Sequence, residues 1–448
     1  MLDCAGKHYT CCTLNSIATT GPEHSGGETL RIAYLLSRYP GISHTFFLKE
    51  VVGLRRAGIV VEVASVNPPD RPDAALSAQE LEESRTTYYV KAQRRSVLFL
   101  AVLLIALRHP AVTIRGLITA SGLGGWDLRE RAFAFLYLSE ALLVGAWMRK
   151  RSLCHLHVHF GGASASVGLL VSAAWKVPWS LTIHGPNEFF DQNKISLQRK
   201  LKSASFVFCV SDYARSQVMR VATDLDPDRV EVLRLGVDCT QLQPRAEANF
   251  AAEGPSVSPV HLVCTGRLTA EKGHMLLLDA VAQLAGLGFP VDLVLIGDGP
   301  ERHALEQRCA RYGLSGNVHF TGAMNHAETL ARVAQADIFV LASFAEGLPV
   351  SLMEAMALGV VCVSTRINGI PELIVDEENG LLVTAGNTGQ VSAALARLAA
   401  DSALRQSLGQ AGRRTVEASY NLEKNIALLA GAFRRRIQGN SHSEPVDS

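Results

Sequence analysis

At 448 residues, with 48% hydrophobic and 19% charged side chains, the chain is long enough for two buried cores and too apolar for a disordered protein. A net charge of +1 gives no basis for nucleic-acid binding, and nine scattered cysteines without paired spacing fit neither a zinc module nor a disulfide framework. Reduced thiols in a cytoplasmic protein are the expectation.

Residues 1 to 28 contain Gly, Ser, Thr and three cysteines without periodicity, and no apolar stretch follows a basic start. They read as a disordered tail or a start placed too early, and not as a secretory signal. The first strand pattern, LRIAYLLS from Leu30, gives way to a loop with Gly41 and Ser43, and IVVEVASV from Ile59 predicts a second strand. The run SVLFLAVLLIAL, 96 to 107, is too short for the roughly 20 residues of a bilayer-spanning helix. Lys91, Arg94 and Arg95 precede it; Arg108, His109 and Arg115 follow. Residues 91 to 115 therefore read either as an interfacial helix on an anionic membrane or as a buried helix of the first domain.

In CHLHVHF, alternation puts His155, His157 and His159 on one strand face and Cys154 on the other, a polar strand end in preference to a metal site. WSLTIHG from Trp179, SFVFCVS from Ser205 and VEVLRLG from Val230 complete the first set of strands. Residues 241 to 259 break the pattern with Pro, Gly, Ser and Ala and read as a linker. The alternation restarts with HLVCTG from His261, VDLVLIG from Val291, NVHFTG from Asn317, DIFVLAS from Asp337 and VVCVST from Val360.

Continuous β-branched runs alternating with helices indicate parallel strands covered on both faces. The fold class is therefore α/β, with two doubly wound, Rossmann-like domains at 29 to 240 and 260 to 420. Ligands belong at the carboxyl ends of the strands, in the interdomain cleft. A helix within 421 to 440 is expected to pack back on the first domain, and 441 to 448 to be unstructured.

The most informative stretch is AEGLPVSLMEAMALG, 345 to 359, in which Glu346 and Glu354 stand eight positions apart around a helix start. Proline suits a first helical position, so Pro349 predicts the helix start, with Leu348 just ahead of it and Ser351 in its first turn. Backbone N–H groups and the positive dipole end there favour a phosphate or pyrophosphate. Glu354, about one turn in, can accept hydrogen bonds from vicinal hydroxyls, and Glu346 faces whatever the phosphate carries. This division fits a nucleotide diphosphate sugar. Arg267 and Lys272 follow the strand HLVCTG, so two cations are placed to neutralise a departing diphosphate. Gly322 ends a strand where backbone can border a base, Gly297-Asp298-Gly299-Pro300 reads as a tight turn, and Asn368 to Glu372 open a helix that can line the sugar side.

In order, the motifs GRLTAEKG, LIGDGP, VHFTG, FAEGLPVSLMEAMALG, NGIPELI and NGLLV resemble glycosyltransferase family 4, the retaining group with the GT-B fold. The likeness runs from about Leu30 to Tyr420. It implies that Glu354 binds the donor ribose, Glu346 the donor sugar, and Arg267 with Lys272 the diphosphate. The segment LLSRYPGISHTFFLKEV resembles the opening of bacterial exopolysaccharide members and puts Gly41 at the donor. Thr182-Ile183-His184-Gly185 occupies the place of a THG-like motif, with His184 near the transferred sugar; Pro186-Asn187-Glu188 departs from the aspartate that many relatives carry there. The activity implied is hexose transfer from a nucleotide diphosphate sugar to a glycan or lipid-linked acceptor, through a front-face displacement with retention. No cofactor is implied, and no metal, since no Asp-x-Asp motif lies near these residues. The alternatives are a GT-B epimerase or phosphorylase, or a non-catalytic sugar-nucleotide-binding assembly protein.

Overall fold

The computed structural model describes residues 29–41, 45–92, 94–123, 128–190, 196–243 and 259–439. Ser43, residues 1 to 28, most of the 241 to 259 linker and the 441 to 448 tail lie outside the described residues.

The first sheet has seven parallel strands in the order β3-β2-β1-β4-β5-β6-β7. They are β1 (Arg31–Arg38), β2 (Val60–Asn67), β3 (Tyr88–Tyr89), β4 (His155–His159), β5 (Trp179–Ile183), β6 (Phe206–Cys209) and β7 (Val230–Val232). The second has six, ordered β10-β9-β8-β11-β12-β13. These are β8 (Val260–Thr265), β9 (Val291–Ile296), β10 (Val318–Gly322), β11 (Ile338–Leu341), β12 (Val361–Thr365) and β13 (Leu381–Val383). Every residue of β4, β5, β6, β11 and β12 is buried, as parallel strands covered on both sides require. The strand order reverses between β1 and β4 and again between β8 and β11. Those two crevices are where an α/β sheet opens to a ligand.

Alternate residues of β1 feed two separate cores. Ala33 and Leu35 join the core beneath the helices Leu128–Lys150 and Ala163–Trp175; Ile32, Tyr34 and Leu36 join one closed by the last helix, Leu422–Gln438. That helix comes from the far end of the chain, yet its Phe433 is fully buried among Tyr34, His157 and Phe208 of the first domain. The two crossings between domains run side by side, with Val237 N donating to Tyr420 O at 2.9 Å and Leu422 N to Val237 O at 3.0 Å.

Candidate active site in the interdomain cleft

Glu346 lies in the loop after β11 and is 8% exposed. Ser343 Oγ and Lys272 Nζ each donate to its Oε1 at 2.7 Å. Thr365 Oγ1 in turn donates to Ser343 O at 2.7 Å, so β12 holds the loop that presents the acid. Lys272 is thus committed to Glu346, whereas Arg267 is exposed at the end of β8. A buried carboxylate requires a counter-charge, and Lys272 supplies it, leaving Arg267 as the exposed cation of the pair.

The helix Val350–Ala357 starts one residue later than the proline pattern predicts, with extended Pro349 at the N-cap. Buried Leu348 precedes it, and Ser351 sits half-buried in its first turn. Glu354 is the fifth helical residue, and its Oε1 is 2.7 Å from His326 Nε2 and 4.0 Å from Lys49 Nζ. His326 opens the helix His326–Gln335, and Lys49 belongs to Thr45–Arg56 of the first domain, so Glu354 is reached from both domains. Gly322 closes β10 at φ 73°. Gly41 is buried beyond β1; the atoms nearest its α-carbon substituent position belong to Arg38 and Asp70, not to the second domain.

His184 follows β5 and meets the acid loop directly. A methyl group at Gly347 would lie 2.1 Å from His184 O, and one at Gly185 would lie 3.1 Å from Gly347 Cα. The domains therefore touch at the two motifs that carry His184 and Glu346. Buried Glu188 clamps the histidine loop, accepting from His184 N at 2.7 Å, Gly185 N at 3.0 Å and Gly161 N. Fully buried Lys200 donates to Gly161 O and Gly162 O at 2.8 Å. Burial pushes the Glu188 carboxyl up and the Lys200 ammonium down, each to about 7.

The three strand histidines share a face, as alternation predicts, but Cys154 packs on that same core because it lies just ahead of β4. Ser180 Oγ is hydrogen-bonded to His155 Nε2 at 2.7 Å and His157 Nδ1 at 2.8 Å, and Thr182 Oγ1 to His157 Nε2 at 2.9 Å. His159 Nδ1 is 2.9 Å from His184 Nε2, while its Nε2 lies 3.2 Å from Glu50 Oε1, out of line for a hydrogen bond. Tyr34 Oη donates to Glu50 Oε1 at 2.7 Å. Burial pushes His155 down to about 3, and burial with neighbouring imidazoles holds His157 well below its ordinary range. Glu50, His157 and His159 have ligand atoms within 4.8 Å of one another, but both ring nitrogens of His157 are engaged by hydroxyls.

Glu372, in the segment 368 to 372 expected to line the sugar side, caps a first-domain helix: its carboxylate accepts from Asp212 N at 2.9 Å and Tyr213 N at 2.8 Å. Lys49 and His326 escaped sequence reasoning because each is a single polar residue whose partner, Glu354, lies on a distant segment, and Glu188 because its partners are backbone amides that no side-chain pattern marks. The departure at Pro186-Asn187-Glu188 was the one visible signal, and it marked the loop clamp.

Two parallel α/β domains that meet over an acid loop, a helix start and a strand-end histidine define a GT-B glycosyltransferase. Residues 45–241 match the Glycosyltransferase Family 4 domain and residues 246–415 the Glycosyl transferases group 1 domain. The two matches together span both domains of the chain, and the protein is a glycosyltransferase. It is 29% identical to the alpha-D-kanosaminyltransferase of Streptomyces kanamyceticus over 65% of this chain and 83% of that protein. With the amylovoran biosynthesis glycosyltransferase AmsK of Erwinia amylovora it shares 24% identity over 91% of this chain and all (100%) of that one. The fold is that of Anabaena HepE, solved in complex with UDP-glucose, at a TM-score of 0.67 and 16% identity, covering 90% of this chain and 99% of HepE.

Proposed function

We propose that this glycosyltransferase moves a hexose from a nucleotide diphosphate sugar to a hydroxyl of a glycan or lipid-linked acceptor, with retention, in the assembly of a bacterial cell-surface polysaccharide. The observation that carries the reading is the junction of Lys272, Glu346 and Gly347 with His184, which puts an acid, a cation and an imidazole loop at one point between the domains. Glu354 binds the ribose hydroxyls, and the amides at the start of Val350–Ala357, beside Leu348 and Ser351, hold the diphosphate. Arg267 and Lys272 offset the negative charge that grows as the glycosidic bond breaks. Glu346 orients the sugar, His184 contacts it from the first domain, and Gly41 and Gly322 border the donor. The departing diphosphate takes the acceptor proton on the face from which it leaves, which preserves the anomeric configuration. AmsK, named for amylovoran biosynthesis, supports the polysaccharide setting, and HepE, solved with UDP-glucose, supports a uridine donor.

The test is a thermal-shift screen of nucleotide sugars, since a donor that binds only the folded state raises Tm, followed by transfer to glycan and polyprenyl-linked acceptors with NMR of the product anomer. An inverted product overturns the front-face mechanism. Sugar phosphate released on adding inorganic phosphate makes the protein a phosphorylase, and tight donor binding with no turnover on either acceptor class makes it a sensor.

A further inference from the structure

Of the seventeen large hydrophobic side chains that stand exposed among the described residues, eleven fall between Val97 and Leu136. They belong to the helices Arg95–Arg108 and Pro110–Ser121 and to the start of Leu128–Lys150. The first of these is apolar all round. Leu98, Ala101, Val102 and Ile105 pack on the domain core, while Phe99 (72% exposed), Leu103 (43%) and Leu107 (70%) face outward. Burying an outer face of this kind is worth about 25 cal/mol per Å², and no element of this chain covers it among the described residues.

The charge around this face is predominantly positive. Between residues 91 and 126 there are five cations (Lys91, Arg94, Arg95, Arg108, Arg115) and no aspartate or glutamate; Lys91 pairs with Glu140 of the third helix and Arg115 donates to Ala174 O, while Arg94 and Arg108 stand exposed. A two-fold pairing of the face with a second copy would set these cations against each other. Anionic lipid headgroups complement them. The face does not span: Ser96–Arg108 and Pro110–Ser121 meet at 111°, and 14 residues at about 1.5 Å each fall short of a hydrocarbon core of roughly 30 Å. Arg129–Lys150 is long and apolar enough to cross, but half of it (50%) is buried against the core.

The face also reaches the cleft. The helix Leu128–Lys150 feeds β4, so in a parallel α/β layer its start lies at the carboxyl edge of the sheet, the side on which His184 emerges. Arg199, in the helix Leu197–Ser203 that follows the His184 loop, donates to Gly122 O at 2.7 Å, tying the site to the end of Pro110–Ser121. We infer that these three helices dock the first domain on an anionic bilayer and hold the cleft mouth at headgroup level, so that the acceptor is presented from the membrane. The second clause rests on the function proposed above; the first does not.

The experiment is co-sedimentation of the full chain with vesicles of phosphatidylglycerol and phosphatidylcholine, and with phosphatidylcholine alone. Wild type sediments with the anionic vesicles, less so as salt is raised. Phe99→Ser/Leu103→Ser/Leu107→Ser and, separately, Arg94→Glu/Arg108→Glu lower the bound fraction at least about tenfold while Tm and turnover on a water-soluble acceptor hold. Wild-type protein that stays in the supernatant, variants that sediment like wild type, or sedimentation without vesicles through a dimer lost in the serine variant would each overturn the docking face. Binding to vesicles without preference for a lipid-linked acceptor over a soluble one would overturn the acceptor clause alone.

Discussion

Glu346 shows why a carboxylate at this position resists removal and yet tolerates a neutral replacement. Its negative charge is buried with Lys272 and Ser343 as donors, so removing Lys272 strands an ion, a loss of about 3–5 kcal/mol, whereas Glu346→Gln keeps the shape and hydrogen-bonding oxygen and leaves only a partly exposed ammonium. We expect Glu346→Gln and Arg267→Ala each to reduce transfer by about a hundredfold or more with Tm near wild type, and Lys272→Ala to lower both transfer and Tm. Wild-type rates in Glu346→Gln or Arg267→Ala would remove those residues from the site. The acid pair was legible because motif and spacing are local. Lys272 was legible as a cation, but its engagement with Glu346 was not, since that depends on how far the β8 loop folds toward the β11 loop. The histidines behave similarly: their shared face could be read from alternation, but the hydroxyls of Ser180 and Thr182 that satisfy them belong to the next strand.

That pairing has a consequence at the scale of β4 and β5. His155 titrates at about 3 in the folded chain against an ordinary 6.5, because burial disfavours the imidazolium, and His157 is depressed for the same reason. The unfolded chain therefore binds protons first. Their contribution to stability is complete above about pH 6.5 and is lost as pH falls toward 3, at roughly 1.4 kcal/mol per pH unit for each histidine. Urea unfolding at pH 7.5, 6.5 and 5.5 should show this slope, and His155→Phe, placed in the ring stack on Phe206, should make it shallower by about one histidine's share. Equal slopes would mean that His155 is protonated in the fold. The same strands sit under the last helix, where Phe433→Ala would open a cavity against Tyr34 and Phe208 and cost about 3–5 kcal/mol. Equilibrium denaturation checks this, and a loss below 1 kcal/mol would mean the helix contributes little to the first core. Eleven of the thirteen strands were evident as apolar runs; Tyr88–Tyr89 spans only two residues and Leu381–Val383 is an apolar run no longer than itself, whereas the equally short Val230–Val232 lies in an apolar pattern that continues to Leu235.

Across the whole molecule, Arg267, Lys272, Ser351 and Glu354, proposed to bind the donor, sit on the second domain and His184 on the first, so the proposed transfer depends on how closely the domains approach. Among the contacts that hold them are Glu372 on the start of the helix Asp212–Val221, Lys49 reaching toward Glu354, and the backbone of Gly347 against that of His184. The last has no slack. A methyl group at Gly347 would stand 2.1 Å from His184 O, far inside van der Waals contact, and the atom it meets is backbone, which no rotamer change can move aside. Gly347→Ala must therefore displace the acid loop or hold the domains apart. Because Arg267, Ser351 and Glu354 all lie on the second domain, donor binding measured by calorimetry should persist within about a few-fold, while kcat should fall by about a hundredfold, in line with the sensitivity of positioned catalysis to displacements of about 1 Å. Arg234 makes the comparison informative. It bonds Asp212 at 2.7 Å and lies 3.4 Å from Glu372, so Glu372→Ala leaves a cation and two helix amides exposed at the same seam without touching the acid loop. If closure is what Gly347 protects, Glu372→Ala should lower kcat in the same direction, and small-angle scattering should show both variants with a larger radius of gyration than wild type. Loss of donor affinity in Gly347→Ala with an unchanged radius would instead mean that the glycine shapes the donor pocket and that the domains close without it.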